Sequence, residues 1–192
     1  ARGSGPAPGV VSYGTAISAC EGAHRWQHAL ALMQAMQMQG LVPDTKACCA
    51  CISACEKGQQ WQRALGLLGD MRRAGVELDV VAYSACISAC EKCGNWEWAL
   101  ALFRELQSSG LRWDTIAGNA AVSACGAGRQ WQRALAELGG MREGRLEPDA
   151  VSWNAALGAC SASRQWAMAA ALLTEMARRG CEPDLVALAA AL

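Results

Sequence analysis

The sequence predicts an all-α fold, a right-handed α-solenoid superhelix of stacked helix-turn-helix repeats, each 35 residues long. Three observations carry that expectation. Ile-Ser-Ala-Cys recurs at Ile17, Ile52 and Ile87, and relaxed copies follow at Val122 and Leu157, each 35 residues after the last. Within every repeat, apolar residues follow helical spacing twice. Glycine then closes the second stretch at Gly40, Gly75, Gly110 and Gly180, in the manner of a left-handed helix cap. A fixed period of this length marks elements that bury their apolar faces only by stacking on neighbours.

Five repeats tile the chain in one frame: 10–44, 45–79, 80–114, 115–149 and 150–184. Residues 1–9 read as a linker or the remnant of a preceding repeat, and 185–192 as the start of a truncated sixth. The first residue is Ala, and no signal peptide or basic amphipathic leader is visible, so the sequence reads as a piece of a longer chain. With 53% hydrophobic and 18% charged residues, its 192 residues have the composition of a folded protein, and no apolar run is long enough to cross a bilayer.

The first helix of each repeat, helix A, is marked by Tyr13, Ala16, Ile17 and Cys20, and again by Tyr83, Cys86, Ile87 and Cys90. Breaks follow at Gly22, Lys57-Gly58, Cys93-Gly94 and Gly126 to Gly128, where glycine lowers helix propensity by about 1 kcal/mol against alanine. Helix B begins at a tryptophan column, Trp26, Trp61, Trp96, Trp131 and Trp166. It runs through pairs such as Ala29-Leu30 and Ala99-Leu100 to Met36, Met71, Leu106, Met141 and Met176. Because the tryptophans share this apolar stripe, core packing is expected of them rather than base stacking; Trp98 and Trp113 lie outside the column. In the fourth repeat the closing glycine is displaced to Gly144, with Arg145 in the usual place. An aspartate column, Asp44, Asp79, Asp114, Asp149 and Asp184, ends the repeats. Aspartate just ahead of a helix suits an N-cap, and a functional reading stands beside that one.

Eleven cysteines would suggest disulfides in a secreted protein, but the number is odd and five of them, Cys20, Cys55, Cys90, Cys125 and Cys160, follow the repeat. That column reads as a small apolar packing position in a reducing compartment. Cys48 with Cys51 and Cys90 with Cys93 have ligand-like spacing, yet a zinc site needs four converging donors and neither pair recurs. His24 and His28 lie one helical turn apart in the first repeat only. No metal and no cofactor is implied.

What varies between repeats is a polar side of helix A. It passes through Gly14, Cys49, Ser84, Asn119 and Asn154, then Ser18, Ser53, Ser88, Ser123 and Gly158, then Glu21, Glu56, Glu91, Gly126 and Ser161. One hydrogen-bonding group per repeat at a fixed pitch suits a polymer with a regular repeat of its own.

The repeat from Val80-Val81-Ala82-Tyr83-Ser84 through Cys90-Glu91-Lys92 and Ala99-Leu100 to Asp114 resembles the pentatricopeptide repeat family of organellar RNA-binding proteins, and five consecutive repeats share the pattern. The resemblance implies one base of single-stranded RNA per repeat, selected by the fifth and last residues while the second, usually aliphatic, packs against it. Carried over, Ser84 with Asp114 implies guanine, and Asn119 with Asp149 and Asn154 with Asp184 imply uracil, with cytosine tolerated. The pairs Gly14 with Asp44 and Cys49 with Asp79 depart from the pattern and are given no base. Val11, Val81, Ile116 and Val151 would clamp the bases, with Lys46 as an exception, and Lys57 and Lys92 would meet phosphates. Asn carries a donor and acceptors for a pyrimidine edge, whereas the Ser hydroxyl is shorter and rotatable.

Charge tempers this expectation, since 17 basic and 17 acidic residues cancel while phosphate contacts dominate most RNA affinity. Glu56 and Glu91 stand beside the two lysines, and Gly22, Ala127 and Ala162 carry no charge at the same position, so binding is expected to be weak and salt-sensitive. Neither a membrane nor a small-molecule substrate is implied. The resemblance places the chain in an organelle, the plastid ahead of the mitochondrion. A peptide-holding scaffold is the competing class, because helical-hairpin solenoids also bind peptides. Catalysis is not expected: a zinc deaminase needs His-x-Glu with a Cys-x-x-Cys pair, a context that His24 and His28 lack.

Overall fold

The computed structural model describes residues 9–144 and 146–181. Asp184, Arg145 and the terminal stretches 1–8 and 185–192 lie outside the described residues. Ten α-helices of 13 residues each make up the described chain: α1 (Val10–Gly22), α2 (Trp26–Met38), α3 (Thr45–Lys57), α4 (Trp61–Arg73), α5 (Val80–Lys92), α6 (Trp96–Ser108), α7 (Thr115–Ala127), α8 (Trp131–Glu143), α9 (Ala150–Ala162) and α10 (Trp166–Arg178). The odd-numbered helices are the A helices and the even-numbered ones the B helices of an all-α repeat solenoid. The chain divides into two compact parts, Ala1–Ala89 and Cys90–Leu192, with the division inside α5.

In the first part α1 packs on α2 and on α3, and α3 packs on α4; in the second, α7 packs on α6, α8 and α9, and α9 packs on α10. An A helix is therefore covered by its own B helix and by the A helix of the next repeat. Small residues permit this. In α7 the buried residues are Ala117, Gly118, Ala120, Ala121, Val122, Ala124 and Cys125, apolar nearly all round as a buried helix must be. Ile17, Ile52, Ile87, Val122 and Leu157 are fully buried at one repeating position, each worth about 1.5–3 kcal/mol.

Four members of the cysteine column, Cys55, Cys90, Cys125 and Cys160, are fully buried, while Cys20 is half-buried. Burial pushes the thiols of Cys51, Cys90 and Cys125 up to about 12, and those of Cys48 and Cys55 up to about 11. They are uncharged at neutral pH and pack as small apolar groups.

Helix B closes as its glycines require. Gly40, Gly75, Gly110 and Gly180 have φ between 68 and 77°. Leu41 N donates to Met36 O at 3.1 Å and Gly40 N to Gln37 O at 2.9 Å, the paired bonds of a Schellman cap. Gly144 differs: its φ is −73°, and a Cβ there would lie 2.7 Å from Trp113 Cζ2, so room for an indole, not backbone freedom, explains it. The turn between helices A and B also departs from expectation. Its left-handed residue falls at His24, Gln59, Gly94, Arg129 and Arg164, only one of them glycine. A non-glycine residue there costs about 1–2 kcal/mol, which the surrounding turn bonds, such as Gln130 N to Cys125 O at 2.8 Å, must offset.

The tryptophan column is not core. Trp26, Trp61, Trp96 and Trp131 are only half-buried, and Trp166 is 77% exposed. Trp26 lies against Gly58 and Trp96 against Gly128, in each case the A–B turn of the following repeat; a Cβ on either glycine would overlap the indole. These glycines have φ of −84 and −82°, so they are there for space. The indole is a wedge between successive repeats, and Arg133 stacks on the Trp96 ring at 5.1 Å.

Urea denaturation checks this seating. Gly128→Ala should cost about 1–3 kcal/mol through overpacking. Gly139→Ala in α8, where nothing lies within 4 Å of a new Cβ, should instead stabilise by about 0.5–1 kcal/mol.

Candidate functional site

The start of each A helix concentrates the residues singled out above. At its second position Val11, Val81, Ile116 and Val151 are 78, 57, 65 and 60% exposed, and Lys46 in the second repeat is exposed as well. Each belongs to the first turn of its helix, and core packing accounts for none of them. Aliphatic side chains left in water at a constant 35-residue interval form a series of apolar surfaces without an internal partner.

The aspartates at the repeat ends cap the next A helix. The Oδ1 atoms of Asp44, Asp79, Asp114 and Asp149 accept from the backbone N–H of Ala47, Ala82, Ala117 and Ser152 at 2.8–2.9 Å. Two of these carboxylates, those of Asp79 and Asp149, also reach back to the fifth residue of their own repeat. Asn119 Nδ2 donates to Asp149 Oδ1 at 3.1 Å and lies 3.4 Å from Oδ2; the Cys49 thiol donates to Asp79 Oδ1 at 3.4 Å. Capping and pairing with the fifth residue are thus two uses of one group, and the two readings of the aspartate column are compatible. Burial, then the charge and hydrogen bond of Asp79, push the Cys49 thiol up to about 12, so Cys49 is a neutral donor.

Ser84 is nearly buried, and its hydroxyl has no hydrogen-bond partner among the described residues, a deficit of about 1–3 kcal/mol that an incoming group could relieve. Asn119 and Asn154 are half-buried, and Gly14 sits in α1 with nothing within 4 Å of a Cβ. Asp184, the expected partner of Asn154, is outside the described residues.

One participant was absent from the sequence reading. Ser152, fully buried, closes a capping box with Asp149: its Oγ accepts from Asp149 N at 3.1 Å and contacts Asn119 Oδ1 as well. The spacing Asp149-x-x-Ser152 is the signal that could have revealed it. Burial alone would raise the Asp149 carboxyl, but bonds from the Ser152 backbone and hydroxyl, from Asn119 and from the Val151 backbone outweigh it and hold the group below the usual carboxylate range.

Lys57 carries a competing contact. Its Nζ pairs with Glu21 Oε1 at 3.0 Å, one repeat earlier, with both side chains about one-third exposed. A pair that exposed is worth at most about 1 kcal/mol, so a phosphate could share the lysine. Lys92 is exposed, and its neighbour Glu91 accepts from Ser123 Oγ at 2.7 Å.

Family models describing a pentatricopeptide repeat domain match residues 31–92 and 101–163, more than half of the sequence. The chain belongs to the pentatricopeptide repeat family. A model of the PPR repeat also matches residues 11–41 and 81–111, and one of the PPR repeat family matches residues 148–188, of this pentatricopeptide repeat chain. Among solved structures, the pentatricopeptide repeat protein PPR10 from maize superposes with a TM-score of 0.77 at 30% identity, over 94% of this chain and 26% of that one. The structure of PPR10 in complex with an 18-nt psaJ RNA element gives 0.71 at 22% identity, over 98% and 36%. The pentatricopeptide repeat domain of Arabidopsis thaliana protein-only RNase P 1, in complex with tRNA, gives 0.79 at 11% identity, over 91% and 92%. The last two share the fold; the chain spans only about a quarter to a third of PPR10. No curated protein sequence matches the chain.

The double duty of Asp149 has a pH signature. A carboxyl held lower in the folded than in the unfolded state stabilises the fold above its unfolded pKa, and that contribution is lost as pH falls through the folded value. Asp149→Ala should cost about 1 kcal/mol at pH 7, the worth of one N-cap. The gap between variant and wild type in thermal unfolding should narrow below about pH 4.

Proposed function

We propose that this chain binds single-stranded RNA in a sequence-specific way, one base per repeat, without catalysis or cofactor. The observation that carries the reading is the Asn119–Asp149 pair, locked by the cap of α9 and flanked in the two adjoining repeats by the exposed aliphatics Ile116 and Val151. A base sliding between two such aliphatics would bury apolar area on both faces while its edge meets the pair. Asn119 offers a donor to a pyrimidine carbonyl, and Asp149 keeps the amide aimed.

On this reading the third, fourth and fifth repeats select G-U-U, through Ser84 with Asp114, Asn119 with Asp149 and Asn154 with Asp184, and cytosine is tolerated at either uracil. The unpaired Ser84 hydroxyl supports a polar group of the base arriving there. Val11, Val81, Ile116 and Val151 act as the clamps, and Lys57 and Lys92 meet phosphates, Lys57 at the expense of its bond to Glu21. The complexes of related solenoids with an RNA element and with tRNA support the class of ligand. An organellar transcript is the proposed target. With a net charge of zero, affinity should be modest and fall with salt.

Fluorescence anisotropy with a G-U-U RNA, a scrambled oligonucleotide and a peptide library tests this. Preference for G-U-U supports the reading; equal affinity for the scrambled RNA, or peptide capture in its place, contradicts it. Asn119→Ser should move preference at the middle nucleotide from pyrimidine toward guanine, as read by enrichment from randomised RNA, with its neighbours unchanged.

A further inference from the structure

We infer that Ser152 is a positioning residue that biases the fourth repeat toward uracil over cytosine, by occupying the acceptor of Asn119. This rests on the RNA reading above. A carboxylate at neutral pH only accepts, so the side of the Asn119 amide that faces Asp149 is its NH2, 3.1 Å from Oδ1, and the amide oxygen faces the other way. There it meets Ser152 Oγ at 2.5 Å.

The serine hydroxyl has one proton and two oxygens within reach, Asn119 Oδ1 at 2.5 Å and Asp149 Oδ1 at 3.0 Å. Asp149 Oδ1 already receives the Ser152 backbone N–H at 2.9 Å and Asn119 Nδ2. The proton therefore goes to Asn119 Oδ1, while Asp149 N, donating to Ser152 Oγ at 3.1 Å, pins that oxygen in place. Asn119 is held at both ends: Ser152 takes one of the two lone pairs of Oδ1 and keeps that oxygen turned toward itself, while the second N–H is left for a base.

Uracil and cytosine differ in that position 4 carries a carbonyl acceptor in one and an amine donor in the other. A donor held outward fits the carbonyl. To meet the amine, Asn119 would have to turn its oxygen outward, away from the serine. Ala47, Ala82 and Ala117 stand where Ser152 stands in the fifth repeat, and Ser12 holds that place in the first; among the boundaries between the five repeats, the restraint is found where the fourth meets the fifth. The same three alanines indicate that the fold accepts Ser152→Ala.

The test uses the full chain with three RNAs, G-U-U, G-C-U and G-U-C, titrated by anisotropy against wild type and Ser152→Ala. Wild type should prefer G-U-U over G-C-U, and Ser152→Ala should shrink that ratio by about 2- to 10-fold, the weight of one neutral hydrogen bond. The ratio of G-U-U to G-U-C, read by Asn154, should stay as it was. A merely structural serine would lower Tm and leave both ratios alone. An unchanged G-U-U to G-C-U ratio, or equal change in both ratios, overturns the inference while the RNA reading stands; a wild type that does not distinguish these RNAs from a scrambled one overturns both.

Discussion

An aspartate at the end of one repeat capping the first helix of the next is the interaction on which this architecture depends. The bond from Oδ1 to the third residue of the helix, seen at Asp44, Asp79, Asp114 and Asp149, satisfies a backbone N–H that would otherwise be orphaned. It also fixes the direction of the carboxylate. At Asp79 and Asp149 that carboxylate reaches the fifth residue of the preceding helix A, so the side chain that joins two repeats is also the one that orders a candidate recognition pair. On the proposed reading, the capping bond and base selection meet in one carboxylate, which is already ordered by the helix it caps.

Two further devices govern how neighbouring repeats pack. Helix A is rich in alanine, cysteine and glycine, which lets its neighbours approach closely: a Cβ on Gly126 would be in ordinary contact with Ala159 of the next helix A at 3.5 Å, and one on Gly118 would crowd Met141 Cε of its own helix B at 3.0 Å. At the other end of the hairpin, Trp26 and Trp96 lean on the turn of the following repeat, where glycine makes room. Small residues at one edge and an aromatic wedge at the other define how one hairpin sits on the next. Val81, Ile116 and Val151 are exposed at the same position of their repeats, 35 residues apart in sequence.

The period, the two helices of each repeat and the closing glycines were legible in the sequence because each is a local signal: Ile-Ser-Ala-Cys every 35 residues, helical spacing, and a glycine whose φ near 70° is its own explanation. Features that depend on a neighbour were not. The tryptophans share helix B's apolar stripe by spacing, yet their seat is made by another repeat's turn, which no single helical pattern encodes. Gly58 and Gly128 looked like helix breakers and are in fact space for those indoles. The aspartates were readable as caps or as recognition groups, and only geometry shows one carboxylate serving α9 and Asn119 together. Ser152 went unnoticed because a buried serine among alanines has no periodic signature, and the ion pair of Lys57 with Glu21 joins residues 36 apart that neither local sequence links.

The most direct measurement replaces the shared carboxylate without disturbing the helix. Asparagine caps about as well as aspartate, so Asp149→Asn should leave helicity and Tm close to wild type. With its oxygen kept at the cap, however, its amide nitrogen replaces Oδ2, which lies 3.4 Å from Asn119 Nδ2; a donor then faces a donor, and the pair loses its fixed polarity. Binding of G-U-U against the three RNAs altered at the middle nucleotide should show uracil preference lost there and kept at the third. Uracil preference surviving intact at the middle nucleotide of a folded Asp149→Asn protein would contradict the account.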